Sequence, residues 1–203
     1  MGKGVTPRNW PPNIAYLSQP SISQQITQIQ RESLRSRPSD PFLSTLYSEK
    51  ITPIHETSHP AHGQAGLFAA RHLESGTLII PYYGIVHASS APHCSAHESS
   101  DYDLWLDREA GIAVDAAQAG NEARFVNDYR GVDSRPNAEF KECYDARNGQ
   151  KCMAVFVLPA GKNSTGGIAK GHEILVSYGK GFWSKRRDES EAESGQEAAL
   201  KTR

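Results

Sequence analysis

The chain has 203 residues and a formal net charge of -1 at pH 7. This length suits one domain with a hydrophobic core and extra segments at its ends, and the balanced charge argues against the basic field of a direct nucleic-acid binder. No apolar run is long enough to predict a membrane span, and the three cysteines lack the C-x-x-C spacing of a structural zinc site or a disulfide framework.

The first part of the chain, residues 1–47, predicts an irregular proline-rich arm that leads into an amphipathic helix. The helix is predicted from the segment "SISQQITQIQRESLRSR", in which isoleucines recur at helical spacing from Ile22 to Ile29. Ser21 or Ser23 is the predicted N-cap, and the prolines that follow the segment end the helix. The alternative is a solvated arm that is helical only in part.

From Tyr47 onward, short apolar runs alternate with glycine, proline and polar residues, which predicts a mainly β domain over residues 48–183. The runs predicted to form strands are "GLFAARHL", "TLIIPYYGIV", "YDLWLD", "GIAVDAA", "NAEFKEC", "KCMAVFVLP" and "EILVSYG". Asn148 and Gly149 predict a hairpin turn. Residues 184–203 are charged and lack periodicity, which predicts a flexible tail.

Four segments of this β region form a recognisable series. They are "GQAGLFAARHLESGTLI", "YYG" followed by "YDLWLD", "VDAAQAGNEARFVNDYRGVDSRPNAEF" and "IAKGHEILVSYGKGFW". In this order and separation they resemble the SET-domain protein lysine methyltransferases over residues 51–183. The resemblance implies a SET-domain fold with several small curved β-sheets around a knot-like crossing. In that crossing the segment with "RFVND" passes through a loop closed by the segment with "EILVSY".

The resemblance also implies a reaction, the transfer of a methyl group from S-adenosylmethionine to the side-chain amine of a protein lysine. The reference pKa of a lysine amine is ~10.4, so at neutral pH the amine is almost entirely protonated and unreactive. A dry aromatic channel favours the neutral amine by desolvation, and a nearby positive charge favours it by repulsion. Such a site needs tyrosines and a shaped pocket, and it needs no metal.

Two tyrosines take catalytic roles by this resemblance. Tyr178 in "LVSYG" matches the tyrosine that the family places against the methyl-transfer path, and Tyr102 in "YDLWLD" matches a tyrosine near the cofactor and the lysine channel. The alternative for Tyr178 is a half-buried strand tyrosine, and the alternative for Tyr102 is a core aromatic. Asn127 and Asp128 stand where the family usually has Asn-His, so both are predicted to face the cofactor. Arg124 either contacts the cofactor or braces the crossing.

The glycine segment before the first well-matched strand departs from the family pattern. The family usually shows Gly-x-Gly there, whereas Gln64 replaces the first glycine and Gly63 lies one residue earlier. Because backbone groups hold the cofactor at this position, Gln64, Ala65 and Gly66 are still predicted to bind it. The alternatives are a bulge that starts at Gly63 and an ordinary turn. Trp183 is predicted to close the site over the adenine or the lysine channel, or else to cap the core.

Two further departures bear on activity. Asp128 replaces a histidine, and Val176 stands where many members have Tyr or Phe, a position that influences how many methyl groups are added. These departures motivate a second hypothesis, in which the chain is a weak or inactive SET fold that acts as a protein-interaction module. A third hypothesis, a nucleic-acid binder, lacks the basic charge it requires.

The remaining polar clusters receive simpler interpretations. His55, His59 and His62 are interpreted as loop residues because no matching carboxylates or cysteines complete a metal site. The acidic residues from Asp101 to Glu109 are either a solvated face or a rim that attracts a basic peptide. The predicted partner is a protein or histone-tail lysine, without direct nucleic-acid binding and without a membrane apart from a weak myristoylation pattern at Gly2. The predicted location is intracellular, either nuclear or cytoplasmic.

Overall fold

A computed structural model describes residues 6–36, 49–91, 94–161 and 166–184. Gly2, the prolines predicted to end the N-terminal helix and the chain beyond Ser184 lie outside these residues. In the described ranges no helix has the length and the apolar character needed to cross a bilayer.

The described elements are mostly strands. They are β1 Ala15–Tyr16, β2 Ser21–Ile22, α1 Gln28–Arg35, β3 Glu49–Pro53, β4 Ala65–Ala69, β5 Leu78–Tyr82, β6 Ile85–Ala88, β7 Asp103–Asp107, β8 Ile112–Asp115, β9 Ala119–Gly120, one 3-10 turn Glu122–Phe125, β10 Asn127–Asp128, β11 Ala138–Asp145, β12 Gln150–Val157 and β13 Leu175–Val176. A further helical stretch occupies residues 179–184, where the described part ends.

These strands form five small sheets in the described part of the chain, which confirms the predicted mainly β fold. A four-stranded sheet has the order β2-β6-β8-β7, and a three-stranded sheet has the order β11-β12-β5. The others are the pairs β1-β9, β3-β4 and β10-β13. The buried core lies between these sheets, so that no single sheet carries it.

The N-terminal helix begins later than predicted. Its N-cap is Thr27, whose hydroxyl accepts from the Gln30 backbone N–H while the Gln30 side chain accepts from the Thr27 N–H. This reciprocal Thr-x-x-Gln pairing satisfies two backbone donors at the helix start. The prediction of a cap at Ser21 or Ser23 is wrong because Ser21 and Ile22 pair in parallel with β6. Of the isoleucines predicted to form the apolar face, Ile22 and Ile26 pack against the core but lie before the helix, whereas Ile29 within the helix is 79% exposed.

The segment that precedes this helix packs against the rest of the fold. Strand β1 pairs in parallel with β9. The Trp10 ring meets Phe125 edge to face at 5.6 Å, and the Asn9 side-chain amide donates to the Ile51 carbonyl at 2.8 Å. The segment predicted to be an irregular arm therefore contributes two short strands and also contacts the core. The predicted domain boundaries stay a prediction.

The predicted hairpin is confirmed. Strands β11 and β12 pair antiparallel along their whole length, and Cys143 lies directly opposite Cys152. Gly149 in the connecting turn has a φ of 66°, a conformation that glycine adopts without strain. On its other side β12 pairs with β5, with Met153 opposite Tyr82. The hairpin is thus joined to the strand that leads into "YYG".

A buried polar cluster lies on the four-stranded sheet and includes part of the acidic segment. His87 is 1% exposed, with Nε2 2.9 Å from an Asp103 carboxylate oxygen and Nδ1 3.0 Å from the Ala88 carbonyl. Because carbonyl and carboxylate oxygens only accept, both contacts can be hydrogen bonds at once only when both ring nitrogens of His87 carry a proton. The ring of His97 stacks on it at 3.6 Å and is held by Asp115. The Asp103 carboxylate is therefore bonded to a residue of the chain itself.

The Asp107 carboxylate is also bonded to residues of the chain itself. It accepts from the Ser33 hydroxyl at 2.7 Å and pairs with the Lys151 ammonium at 2.9 Å. Burial alone would raise the pKa of Asp107, but the Ala110 backbone N–H, Lys151 and Ser33 outweigh it and lower the pKa to about 2. The acidic segment is therefore only partly a solvated face or rim, because two of its carboxylates bind residues of the chain itself.

His87 gives a pH-dependent contribution to stability. Burial would lower its pKa, but the hydrogen bonds to Asp103 and Ala88 and the charges of Asp103 and Asp115 raise it above 6.5. The native state therefore keeps a proton that the unfolded chain releases, so this contribution is complete below about pH 6.5 and is lost as pH rises through the folded-state pKa. We expect the free energy of unfolding, measured in urea, to fall as the pH rises through that window.

A His87→Gln protein is the control for this prediction. Glutamine can still donate to Asp103 but does not titrate, so the decline should flatten while the other histidines continue to contribute equally in both proteins. An identical pH dependence in the two proteins would show that the folded-state pKa of His87 is not raised.

Candidate functional site

The pairing of β10 with β13 assembles the site. The two strands run parallel, with Asn127 opposite Leu175 and Asp128 opposite Val176. The Tyr129 N–H donates to the Val176 carbonyl at 3.0 Å and extends this contact by one residue. Segments that are about fifty residues apart in the chain therefore meet, as the sequence comparison of "RFVND" and "EILVSY" implied.

Tyr178 is half-buried at this junction. Its hydroxyl donates to the Val126 carbonyl at 2.8 Å, and its ring meets Phe182 edge to face at 4.8 Å. Burial, followed by the charges of Tyr102 and Asp128, raises the pKa of Tyr178 above its ordinary value of 10.0. The hydroxyl therefore stays neutral at physiological pH, with its proton directed at Val126 and its oxygen lone pairs still able to accept.

Tyr102 lies close to Tyr178 and is covered by a cation. The guanidinium carbon of Arg124 lies 4.3 Å from the Tyr102 ring centroid, and Arg124 Nε donates to the Ala116 carbonyl at 3.0 Å. This arrangement is a cation–π contact held in place by the backbone. Tyr102 and Arg124, two residues that the sequence predicts for the site, therefore lie in contact with each other.

A third tyrosine, Tyr82, completes this neighbourhood and was not identified from the sequence as a site residue. Its hydroxyl donates to the Tyr102 carbonyl at 2.8 Å, and its side chain is buried. Burial, followed by the charge of Asp115, raises its pKa well above 10.0. The sequence feature that could have identified Tyr82 is the "YYG" segment, whose first tyrosine is the last residue of β5.

Asn127 is oriented by a buried acid. Its side-chain Nδ2 donates to Glu173 Oε1 at 2.8 Å and lies 3.4 Å from the Ala65 carbonyl. With Nδ2 fixed in this direction, the amide oxygen is the atom through which the Asn127 side chain can accept a hydrogen bond. Glu173 is 9% exposed and was missed by the sequence analysis, although it opens the "EILVSY" segment.

His59 holds the other side of Glu173. Its Nε2 lies 3.0 Å from Glu173 Oε2, and its Nδ1 accepts from the Ala61 backbone N–H at 3.0 Å. Because Nδ1 accepts, the ring proton lies on Nε2 and the neutral imidazole donates to the carboxylate. His59 lies in a loop as predicted, but it is only 8% exposed and contributes to the site. The described residues contain no group of three or more side chains arranged to bind a metal ion.

The glycine segment approaches the same carboxylate. Strand β4 begins at Ala65, and the Gln64 side chain just before it is exposed. A Cβ at Gly66 would lie within 3.1 Å of Asn127 Nδ2 and closer still to Glu173 Oε1. Gly66 is therefore required by close packing. Gly63 has a φ of 80°, so it supplies the turn that leads into the segment.

Substituting Gly66 should disturb the junction. A Gly66→Ala side chain must displace Glu173 or Asn127, and we expect a loss of about 2 kcal/mol in the free energy of unfolding in urea. Gly161→Ala is the matched control, since its Cβ would meet nothing within 4 Å and its backbone has no positive φ. Equal stability of the two variants would show that Glu173 and Asn127 move aside without cost.

The Asp128 carboxylate is occupied by donors of the chain itself. It accepts from the Tyr178 backbone N–H at 2.7 Å, from Trp183 Nε1 at 3.3 Å and from both the backbone and the guanidinium of Arg130. The carboxylate is also buried, with 7% exposure of the residue. Its contacts therefore join β10 to the Tyr178 backbone and to Trp183. Any contact of Asp128 with a cofactor stays a prediction.

Trp183 stands at the edge of this junction. Its ring meets Phe182 edge to face at 5.3 Å, and the Arg130 guanidinium carbon lies 5.5 Å from its centroid. A cavity of about 380 Å³ opens here, lined by Arg130, Lys180, Trp183 and Ser184. An aromatic face beside two cations suits a ligand that carries both a planar base and a carboxylate. A role of Trp183 in closing the site over the donor or the lysine channel stays a prediction.

Comparison with solved structures finds proteins of similar fold. A structure of a humanized mutant of Chaetomium thermophilum Polycomb Repressive Complex 2 bound to the inhibitor GSK126 is similar at 22% identity and a TM-score of 0.50, covering 66% of this chain and 15% of that one. A structure of ctPRC2 in an autoinhibited conformation bound to S-adenosylmethionine gives 22% identity and a TM-score of 0.48, covering 72% of this chain and 17% of that one.

A third structure, KRYPTONITE in complex with mCHH DNA, an H3(1-15) peptide and SAH, gives 15% identity and a TM-score of 0.46, covering 66% of this chain and 24% of that one. The present chain thus spans less than a quarter of each of these proteins. A search of curated proteins found no match. The family model described as SET domain matches residues 64–179, which include every strand of the junction and both predicted catalytic tyrosines. With more than half of its length matched, the chain belongs to the SET-domain family, whose methyltransferases use S-adenosylmethionine.

Proposed function

We propose that this protein transfers methyl groups from S-adenosylmethionine to the side-chain amine of a protein lysine. The observation that carries the proposal is the β10–β13 pairing, which brings Asn127 and Tyr178 to one site. Bound S-adenosylmethionine supplies a methyl group made electrophilic by its sulfonium. The protein then has to place a neutral amine in line with that methyl group.

The tyrosines and Arg124 favour the neutral amine. Tyr178 and Tyr102 provide aromatic, partly desolvated surface, and desolvation disfavours the ammonium form of lysine. The Arg124 guanidinium at 4.3 Å from the Tyr102 ring adds a like charge that acts in the same direction. The Tyr178 oxygen can accept a hydrogen bond from the amine, because its own proton is donated to Val126.

The donor would be held on the opposite side of the junction. The Asn127 amide oxygen, fixed by the hydrogen bond from Nδ2 to Glu173, suits an ammonium group, and the backbone of Gln64, Ala65 and Gly66 lies along the same edge. Trp183 and the cations beside it suit the remainder of the donor. The Asp128 side chain supports these residues from within.

The substrate class follows from the reaction, and a histone tail is the first candidate to test. An intracellular setting, nuclear or cytoplasmic, is proposed together with it.

Transfer is measured by incubating the full chain with donor labelled in its methyl group and with arrays of lysine peptides, core histones and other proteins. Donor binding is measured in parallel by calorimetry. Label on a lysine side chain supports the proposal. Donor binding without label on any substrate would favour the alternative, a SET fold that acts as an interaction module, and absence of donor binding would contradict the proposed site itself.

A further inference from the structure

Two cysteines that methyl transfer does not use face each other on the hairpin. Cys143 on β11 is directly opposite Cys152 on β12, and their Sγ atoms lie 3.4 Å apart. Directly opposite residues of antiparallel strands have Cα atoms about 4.5–5.5 Å apart, within the range that disulfides require. Side-chain rotation alone can therefore bring the two sulfurs to bonding distance.

The pair lies in a small apolar cluster, separate from the main core. Ala154 and Phe156 share this face of β12, and Leu78 of β5 packs against them. Cys143 retains 7% of its surface and Cys152 retains 3%, so Cys143 is the more accessible thiol. Access to Cys143 does not require the main core to open.

The two thiols differ in character because they are hydrogen-bonded to each other. The hydrogen bond between the two thiols lowers the pKa of Cys143, although burial and the carboxylate of Asp145 oppose this. The same hydrogen bond and burial raise the pKa of Cys152. Cys143 is also the more exposed of the two, so a peroxide reaches its sulfur first and Cys152 is placed to react second.

We propose that Cys143 and Cys152 form a redox-modification site, in which hydrogen peroxide converts the facing thiols into a reversible cross-strand disulfide. The Cys143 sulfur attacks one peroxide oxygen, the O–O bond breaks, and one water leaves as a sulfenic acid forms. The Cys152 sulfur then attacks the Cys143 sulfur, its proton passes to the departing hydroxyl, and a second water leaves. The two thiols are oxidised by two electrons in total, and the peroxide is reduced to two waters.

The disulfide would close a short loop around the hairpin turn. That loop contains Asp145, which is fully buried and accepts from the Tyr83 hydroxyl at 2.7 Å and from the Asn148 side chain. Strand β12 also pairs with the strand that carries Tyr82. Oxidation would therefore fix the segment that supports the "YYG" strand, without changing any residue assigned to methyl transfer.

The test uses a Cys94→Ser protein, in which only the facing pair remains. The folded protein is treated with hydrogen peroxide, denatured and alkylated, and its mass is measured with and without a thiol reductant. We expect both alkylatable thiols to disappear with the loss of two hydrogen atoms, and the reductant to restore them. The melting temperature of the oxidised form should rise by about 5 °C because the closed loop restrains the unfolded chain.

Single-thiol variants give the matched controls. Removing the second thiol with Cys152→Ser should leave a sulfenic acid on Cys143 that a nucleophilic trap captures, whereas Cys143→Ser should react much more slowly. Gain of oxygen atoms on the paired protein in place of disulfide, or an unchanged thiol count, would overturn the proposal. A lower melting temperature after oxidation would also overturn it, since the bond would then strain the hairpin.

Discussion

Replacing Tyr178 by phenylalanine is expected to lower the rate of methyl transfer by about 100-fold or more, with donor affinity nearly unchanged. The substitution keeps the ring that packs against Phe182 and removes only the hydroxyl that is bonded to Val126. Without that oxygen the amine loses the group that orients it, while Asn127 and Trp183 remain in place for the donor. The loss should therefore appear in kcat.

The matched control is Tyr144→Phe, which removes a hydroxyl from a half-buried tyrosine on the hairpin, away from the β10–β13 junction. Rates are measured by single-turnover transfer to the best substrate of the array, donor affinity by calorimetry and folding by urea titration. A Tyr178→Phe protein with the control's rate would remove Tyr178 from the chemistry. A loss confined to donor affinity would instead assign the hydroxyl to donor binding.

The junction itself was accessible to the sequence only through the family resemblance. Strands β10 and β13 have two residues each, too short to show any periodicity, and their parallel pairing joins distant segments. The motifs around Asn127 and Tyr178 predicted that these two segments meet, which hydrophobic periodicity could not do. The long strands of the hairpin, by contrast, followed from apolar runs and the Asn148-Gly149 turn.

Glu173 and His59 show what the sequence does not reveal. A glutamate before an apolar run and a histidine in a polar loop are both ordinarily exposed, and only tertiary packing buries them together beside Asn127. The helix start is a different case, because the sequence does contain the Thr27-x-x-Gln30 capping pattern. The isoleucine spacing that begins at Ile22 predicted an earlier start. The structure has the later start, because Ile22 lies in strand β2 and pairs with β6.

Removing the Asp128 carboxylate is expected to cost about 3 kcal/mol in the free energy of unfolding, because a buried charged acceptor with several donors is lost. In an Asp128→Ala protein the Tyr178 N–H and Trp183 Nε1 lose their partner, and the Arg130 guanidinium loses its counter-charge. The measurement is urea unfolding followed by tryptophan fluorescence. Asp133→Ala is the control, since within the described residues that exposed carboxylate bonds only to Ser134 of its own turn, and it should change stability by less than about 0.5 kcal/mol.

Asp128→His restores the residue that the family pattern usually has at this position, and it separates the two explanations of the departure. If Asp128 is a defect in donor binding, histidine should raise methyl transfer. The contacts favour the other explanation, in which the carboxylate organises Tyr178, Trp183 and Arg130 in this particular chain. We therefore expect Asp128→His to lose stability and to gain no activity, because a histidine cannot accept from all of these donors at once. A more active Asp128→His protein with wild-type stability would show that aspartate weakens the site.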